Sequence, residues 1–165
     1  SDDKVLITQR SWRVAYYPSA WQCTLSEQFA LEDLAHRQPV LRWGQRMLEE
    51  ELSLYDESAY DNANLRLLSV FLEGELLNIS ACAYITLNLD ADTLDKHLRA
   101  NPPDPEFNGN WIFLEHRQLL DELFTPSREY HPSSPYLMFM SLLHRYGLPM
   151  KETINQRLAT VSKPT

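Results

Sequence analysis

LRLLSVFLEGELLNISACAYITLNL, residues 65–89, is the stretch whose reading decides the fold. Leucines recur at three- and four-residue steps on both sides of Gly74. That spacing predicts two helices, about 63–72 and about 75–88, joined near the glycine. The second carries Leu76, Leu77, Ser80, Ala83, Tyr84 and Leu87, small at its middle and suited to close helix packing. Its apolar run, LLNISACAYITLNL, is about 14 residues long, short of the roughly 20 of a membrane span, and it holds Asn and Ser. It reads as a buried core helix. The NIS sequon at Asn78 falls inside that helix, where a glycan would not fit.

Working outward, Asp90 can cap a short helix carrying Leu94 and Leu98. NPPDPEFNGN (101–110) holds three prolines and a glycine and is the clearest break, where a subdomain boundary is left open. Asn110 is placed as the cap of a helix through about 124, followed by the loop TPSREYHPSSP. In SSPYLMFMSLLHRYGLP, Ser134 is read as cap, Pro135 as first helical residue and Gly147 as stop, with a last helix over about 150–160.

On the N-terminal side, YDESAYDNAN is a polar loop. Before it, Val40, Trp43, Met47, Leu48, Leu52 and Tyr55 form one buried stripe of a helix opened by Pro39. TLSE is read as a capping box, Thr24 with Glu27, opening a helix over about 25–37. Only KVLITQRSWRVAYY is rich in β-formers, which suits a short strand or an ordered extended segment. The fold expected is therefore all-α: a single-domain multi-helix bundle over residues 1–165 with an extended N-terminal arm, residues 1–17.

Composition narrows the function classes. The net charge of −8, from 23 acidic and 15 basic residues, repels nucleic acid and anionic lipid. Four glycines against ten prolines leave little material for phosphate-binding loops. Cys23 and Cys82 show no scaffold spacing and are expected as reduced thiols, as in a cytoplasm. The five histidines, His36, His97, His116, His131 and His144, make no zinc pair. Asp90, Asp92 and Asp95 read as complements to a helix dipole rather than calcium ligands. No nucleophile elbow, P-loop or dinucleotide fingerprint occurs. No catalytic, cofactor or metal residue is singled out, and the expectation is a protein that is not an enzyme.

YYPSAWQ (16–22) packs three rings around a proline after the arm. With MLEEELSLYDESAYD and the leucine-rich stretch after it, it resembles the type III secretion sorting-platform adaptor family over residues 14–98. The resemblance implies a non-enzymatic cytoplasmic adaptor, peripheral to the inner membrane through its protein partners. Those partners would be the cytoplasmic domain of the inner-membrane ring protein and the pod protein, with no nucleic acid and no membrane insertion. The alternative is an acidic helical immunity protein or secretion chaperone bound to a basic toxin or effector. The candidate partner-binding residues are Tyr16, Tyr17 and Trp21, with Glu49, Glu50, Glu51, Asp56 and Glu57 as a steering acidic field.

Overall fold

The computed structural model of the chain describes residues 2–23, 25, 28–73, 78–101 and 107–161. The deciding stretch is not helical. It lies in two antiparallel strands, β3 (Tyr60–Glu73) and β4 (Asn78–Leu87), paired from Leu65↔Ile85 to Glu73↔Asn78 with a bulge between Leu67 and Ser69. The expected all-α bundle is thus corrected to a mixed α/β fold. The physical reason is the period. Ile79, Ala81, Ala83, Ile85 and Leu87 alternate with Ser80, Cys82, Tyr84 and Thr86, and β-branched Val70, Ile79, Ile85 and Thr86 fit a pleated surface. In β3, Leu65, Leu68 and Phe71 are half-buried while Leu67, Val70 and Leu72 are exposed, so its apolar residues do not make one buried helical stripe.

The remaining elements in chain order are β1 (Lys4–Arg10), β2 (Trp21–Gln22), α1 (Leu31–Ala35), α2 (Pro39–Leu52), α3 (Ala91–Ala100), β5 (Phe107–Glu115), α4 (His116–Phe124), α5 (Ser134–Tyr146) and α6 (Leu148–Val161). The arm is more than an extended tail. β1 is the middle strand of a sheet ordered β2-β1-β5, antiparallel throughout. The helix expected from Asn110 is also corrected: residues 107–115 are strand, and only α4 beyond them is helical. Trp111 and Phe113 pack against one core, Ile112 and Leu114 against another, so an apolar run of both parities satisfies a strand covered on both faces.

Other boundaries follow their chemistry. Asp90 caps α3, its carboxylate accepting from the Thr93 amide at 2.7 Å. Pro39 opens α2 and Ser53, at φ 55°, ends it, leaving Tyr55 outside the helix and exposed. The cap position of α5 is Ser133, one residue before the expected Ser134. Ser134 is fully buried, and its hydroxyl accepts from the Cys23 amide at 3.1 Å. Gly147, at φ 66°, stops the helix as expected. The capping residues Thr24 and Glu27 lie outside the described residues, and α1 is shorter than the helix expected there.

The layers are read from adjacent residues of β1. Leu6 packs with Leu48, Leu52, Leu94 and Leu98, whereas Ile7 packs with Leu119, Met138, Leu142 and Ile154. Neighbours on a strand point to opposite faces, so the strands form a middle layer. One outer layer holds α2 and α3, the other α4, α5 and α6. The hairpin belongs to the same middle layer: Ile85 packs against the first core, while Phe71 and Tyr84 meet Tyr136 and His144 of α5.

Candidate functional site

Among the described residues no strand pairing joins β1 to β4. A cleft of about 720 Å³ lies between them, within the usual range of a ligand site. On one side run residues 81–87 of β4, on the other residues 2–6 at the start of β1. Met47, Leu48 and Leu52 of α2 form an apolar wall, and Leu137 and Ser141 of α5 line the opposite wall with His116 and His131. His116 is buried and its Nδ1 donates to the Asp3 carbonyl at 2.9 Å; its Nε2 has no partner among the described residues. The Nδ1 of His131 is 2.8 Å from the Ser133 hydroxyl. Arg10 donates to the Gln22 side chain at 2.9 Å beside the cleft.

A loop, residues 11–20, meets this cleft at Tyr16. Its ends are tied: the Arg10 amide donates to Ala20 O at 2.9 Å, and the Gln9 side-chain amide donates to Ser19 O at 2.8 Å. The buried Ser11 accepts from the Arg13 amide through its hydroxyl. Tyr17 and Ser19 hold φ of 50° and 63°, a conformation costing a non-glycine residue roughly 1–3 kcal/mol where the surroundings impose it. The loop displays Trp12, 65% exposed, with the Arg13 guanidinium 5.0 Å above its ring. Tyr16 is 60% exposed and lines the cleft.

The three rings of YYPSAWQ therefore separate. Tyr16 is open. Tyr17 is half-buried, edge-on to His131 at 4.9 Å. Trp21 belongs to the sheet: it pairs with Gln9, its amide donates to Glu129 O at 2.8 Å, and its carbonyl accepts from the His131 amide at 2.7 Å. Its ring lies under Arg128 at 5.3 Å.

The acidic candidates are largely engaged within the fold. Glu49 pairs with Arg42 at 3.4 Å and Glu50 with Arg46 at 3.0 Å. Glu51 is buried. Asp56 accepts from the Ser58 amide at 2.9 Å, which lowers its carboxyl pKa, and Glu57 is exposed in the turn that follows. Sequence reasoning passed over Trp12 and Arg13, though both stand in the β-rich arm it noted. Among the described residues no three His, Cys, Asp or Glu side chains are grouped to hold a metal ion. Among them, too, no helix is long and apolar enough to cross a membrane.

Comparison with known proteins gives a fold and no family. No family model and no curated protein matches the chain. The crystal structure of DR0079 from Deinococcus radiodurans is similar to it in fold. The two superpose with a TM-score of 0.57 over 84% of this chain and 74% of that one, at 17% identity. At that identity the likeness speaks for the arrangement of strands and helices alone.

Proposed function

We propose that the protein works by binding another protein, with the loop 11–20 and the cleft it meets as the recognition site. The observation that carries this reading is the joint exposure of Trp12, Arg13 and Tyr16 on a loop whose backbone is held at both ends. Trp, Tyr and Arg dominate interface hot spots because each combines large apolar area with a polar handle. A loop already fixed in shape loses little conformational freedom on binding.

The specific form of this proposal remains an adaptor of the type III secretion sorting platform, bound to the ring protein's cytoplasmic domain and to the pod protein. The residues first read as paired leucine helices are strands, which leaves the aromatic segment at 16–22 and α2. An acidic immunity or chaperone role draws on a field that Arg42 and Arg46 partly cancel at Glu49 and Glu50.

The test is hydroxyl-radical footprinting of the protein alone and with each of the two secretion proteins. Trp12 and Tyr16 become protected on partner addition while exposed Tyr55, outside the loop, keeps its labelling. Unchanged labelling of both rings in a formed complex places the interface elsewhere.

A further inference from the structure

β3 ends the hairpin on the side away from the cleft-lining strand. Among the described residues β4 is its only strand neighbour. No residue from Leu65 to Leu72 is buried: Arg66 and Leu67 are exposed, and Val70 and Leu72 are each 61% exposed. A strand edge of this kind offers backbone donors and acceptors to a further strand.

The side chains of one face continue the same surface. Leu65, Leu67, Val70 and Leu72 pair with Ile85, Ala83, Ala81 and Ile79, alternate residues of β4, and so share one face despite the bulge at Leu68. At the near end of that face, Leu65 and Leu67 border a notch of about 390 Å³ with Pro39, Val40 and Leu41 of α2. At the far end, Val70, Leu72 and Ile79 stand exposed.

We propose that β3 pairs with β3 of a second copy of this chain, antiparallel, about a two-fold axis at Val70. A two-fold contact must be self-complementary, and this one is. It sets Val70 against Val70, Phe71 against Ser69 and, with Leu68 bulged as it is against β4, Leu72 against Leu67. Each pairing keeps like faces together. Directly opposed side chains stand about 5 Å apart, so Leu72 of each copy reaches the notch that Leu67 borders in the other.

Charge selects this register. Residues 65–73 hold two charged positions, Arg66 and Glu73. With Val70 on the axis, position 66 of each copy opposes position 73 of the other, so unlike charges meet on both sides. Registers slid along the strand lose that match, and a parallel pairing in register opposes Arg66 to Arg66. A contact of one strand pair and two leucines falls short of the roughly 800 Å² per partner of a standard interface, so the dimer is weak and concentration-dependent. It stands apart from the loop 11–20 and does not rest on the reading above.

The experiment is sedimentation velocity of the full chain from about 5 μM to about 1 mM, where a reversible monomer–dimer equilibrium is expected. Arg66→Glu and Glu73→Arg each set like charges opposite one another, and each weakens self-association at least about tenfold. Mixed in equal amounts, the two variants regain unlike charges at both positions and associate like the parent. Mild oxidation then reads the register. Val70→Cys links to itself, whereas Leu67→Cys and Leu72→Cys link only to each other. The native thiols, Cys23 and Cys82, are buried.

A chain that stays monomeric at about 1 mM overturns the proposal. So does a dimer indifferent to both charge reversals, or a mixture of the two variants that fails to recover. Self-linking of Leu67→Cys without self-linking of Val70→Cys removes the axis from Val70 and the proposal with it.

Discussion

Arg46 and Asp33 close α1 onto α2. The guanidinium of Arg46 donates to Asp33 Oδ2 at 2.7 Å, where the carboxylate is completely buried, and to the Gln28 carbonyl. The same carboxylate accepts from the Ala30 amide at 2.9 Å, which ties down the start of α1. Removing the cation leaves a buried charge unpaired, and Arg46→Ala is expected to lower unfolding stability by about 3–5 kcal/mol. Denaturant unfolding of parent and variant measures this; a difference below about 1 kcal/mol would show that the pair contributes little.

The same pair gives a pH dependence. Hydrogen bonding from Arg46, then from Ala30, holds the Asp33 carboxyl below its ordinary range against the opposing effect of burial. A carboxyl lowered in the folded state stabilises above its unfolded value, near about 3.9, and loses that contribution as pH falls through the lower folded value. Thermal unfolding followed from neutral pH down to about 3 should fall more steeply for the parent than for Asp33→Asn. Parallel curves would remove Asp33 from the acid transition.

Gly44 is fixed by the approach of α2 to the hairpin. A Cβ there would lie 2.0 Å from Leu65 Cδ1, inside any tolerable contact. Gly44→Ala is expected to destabilise by about 1–3 kcal/mol through overpacking, although alanine is the better helix former. Adding Leu65→Ala should relieve the clash, so the two changes are non-additive in a double-mutant cycle. Additive costs would place α2 further from β3.

Cys82 should be inert in the native protein. Both cysteines are free and buried, and burial pushes the Cys82 thiol up to about 11. Because the thiolate is the nucleophile, alkylation near neutral pH should leave Cys82 unmodified in the folded chain and complete in denaturant. Rapid native modification, read by peptide mass, would contradict its position in β4.

How much of this was legible follows from period and length. α2, α3, α5 and α6 carry their own punctuation in Pro39, Asp90 and Gly147, and the sequence reading found all four. β3, β4 and β5 read as helices because apolar residues stand at both parities along them, covered on both faces in β5 and left exposed at Leu67, Val70, Leu72 and Ile79 in the hairpin. Apolar residues of both parities then blur the two-residue alternation and imitate helical steps. The alternation Ile79-Ser80-Ala81-Cys82-Ala83-Tyr84 was present, and β-branched Ile79, Ile85 and Thr86 pointed the same way. The cleft could not be read at all, since its lining comes from residues far apart in the chain, from Leu6 and Leu48 to Ile85, His116 and Ser141. Of the three rings singled out, only Tyr16 is open.

Those rings separate in experiment. Trp21 is held in the β2 pairing and under Arg128, so Trp21→Ala should cost stability, about 1–3 kcal/mol. Tyr16→Ala should change stability by less than about 0.5 kcal/mol. Denaturant unfolding distinguishes them, and equal losses would contradict the exposed placement of Tyr16.

The dissociation rate of Trp12→Ala from the ring or pod protein, measured beside its unfolding midpoint, tests the binding account most directly. Trp12 is exposed, so the variant should unfold like the parent. If the ring is a hot spot, its loss costs about 2 kcal/mol of binding, roughly a thirtyfold weaker complex, expressed mainly as faster dissociation. A variant that folds normally and leaves its partner at the parental rate would contradict the assignment of recognition to this loop.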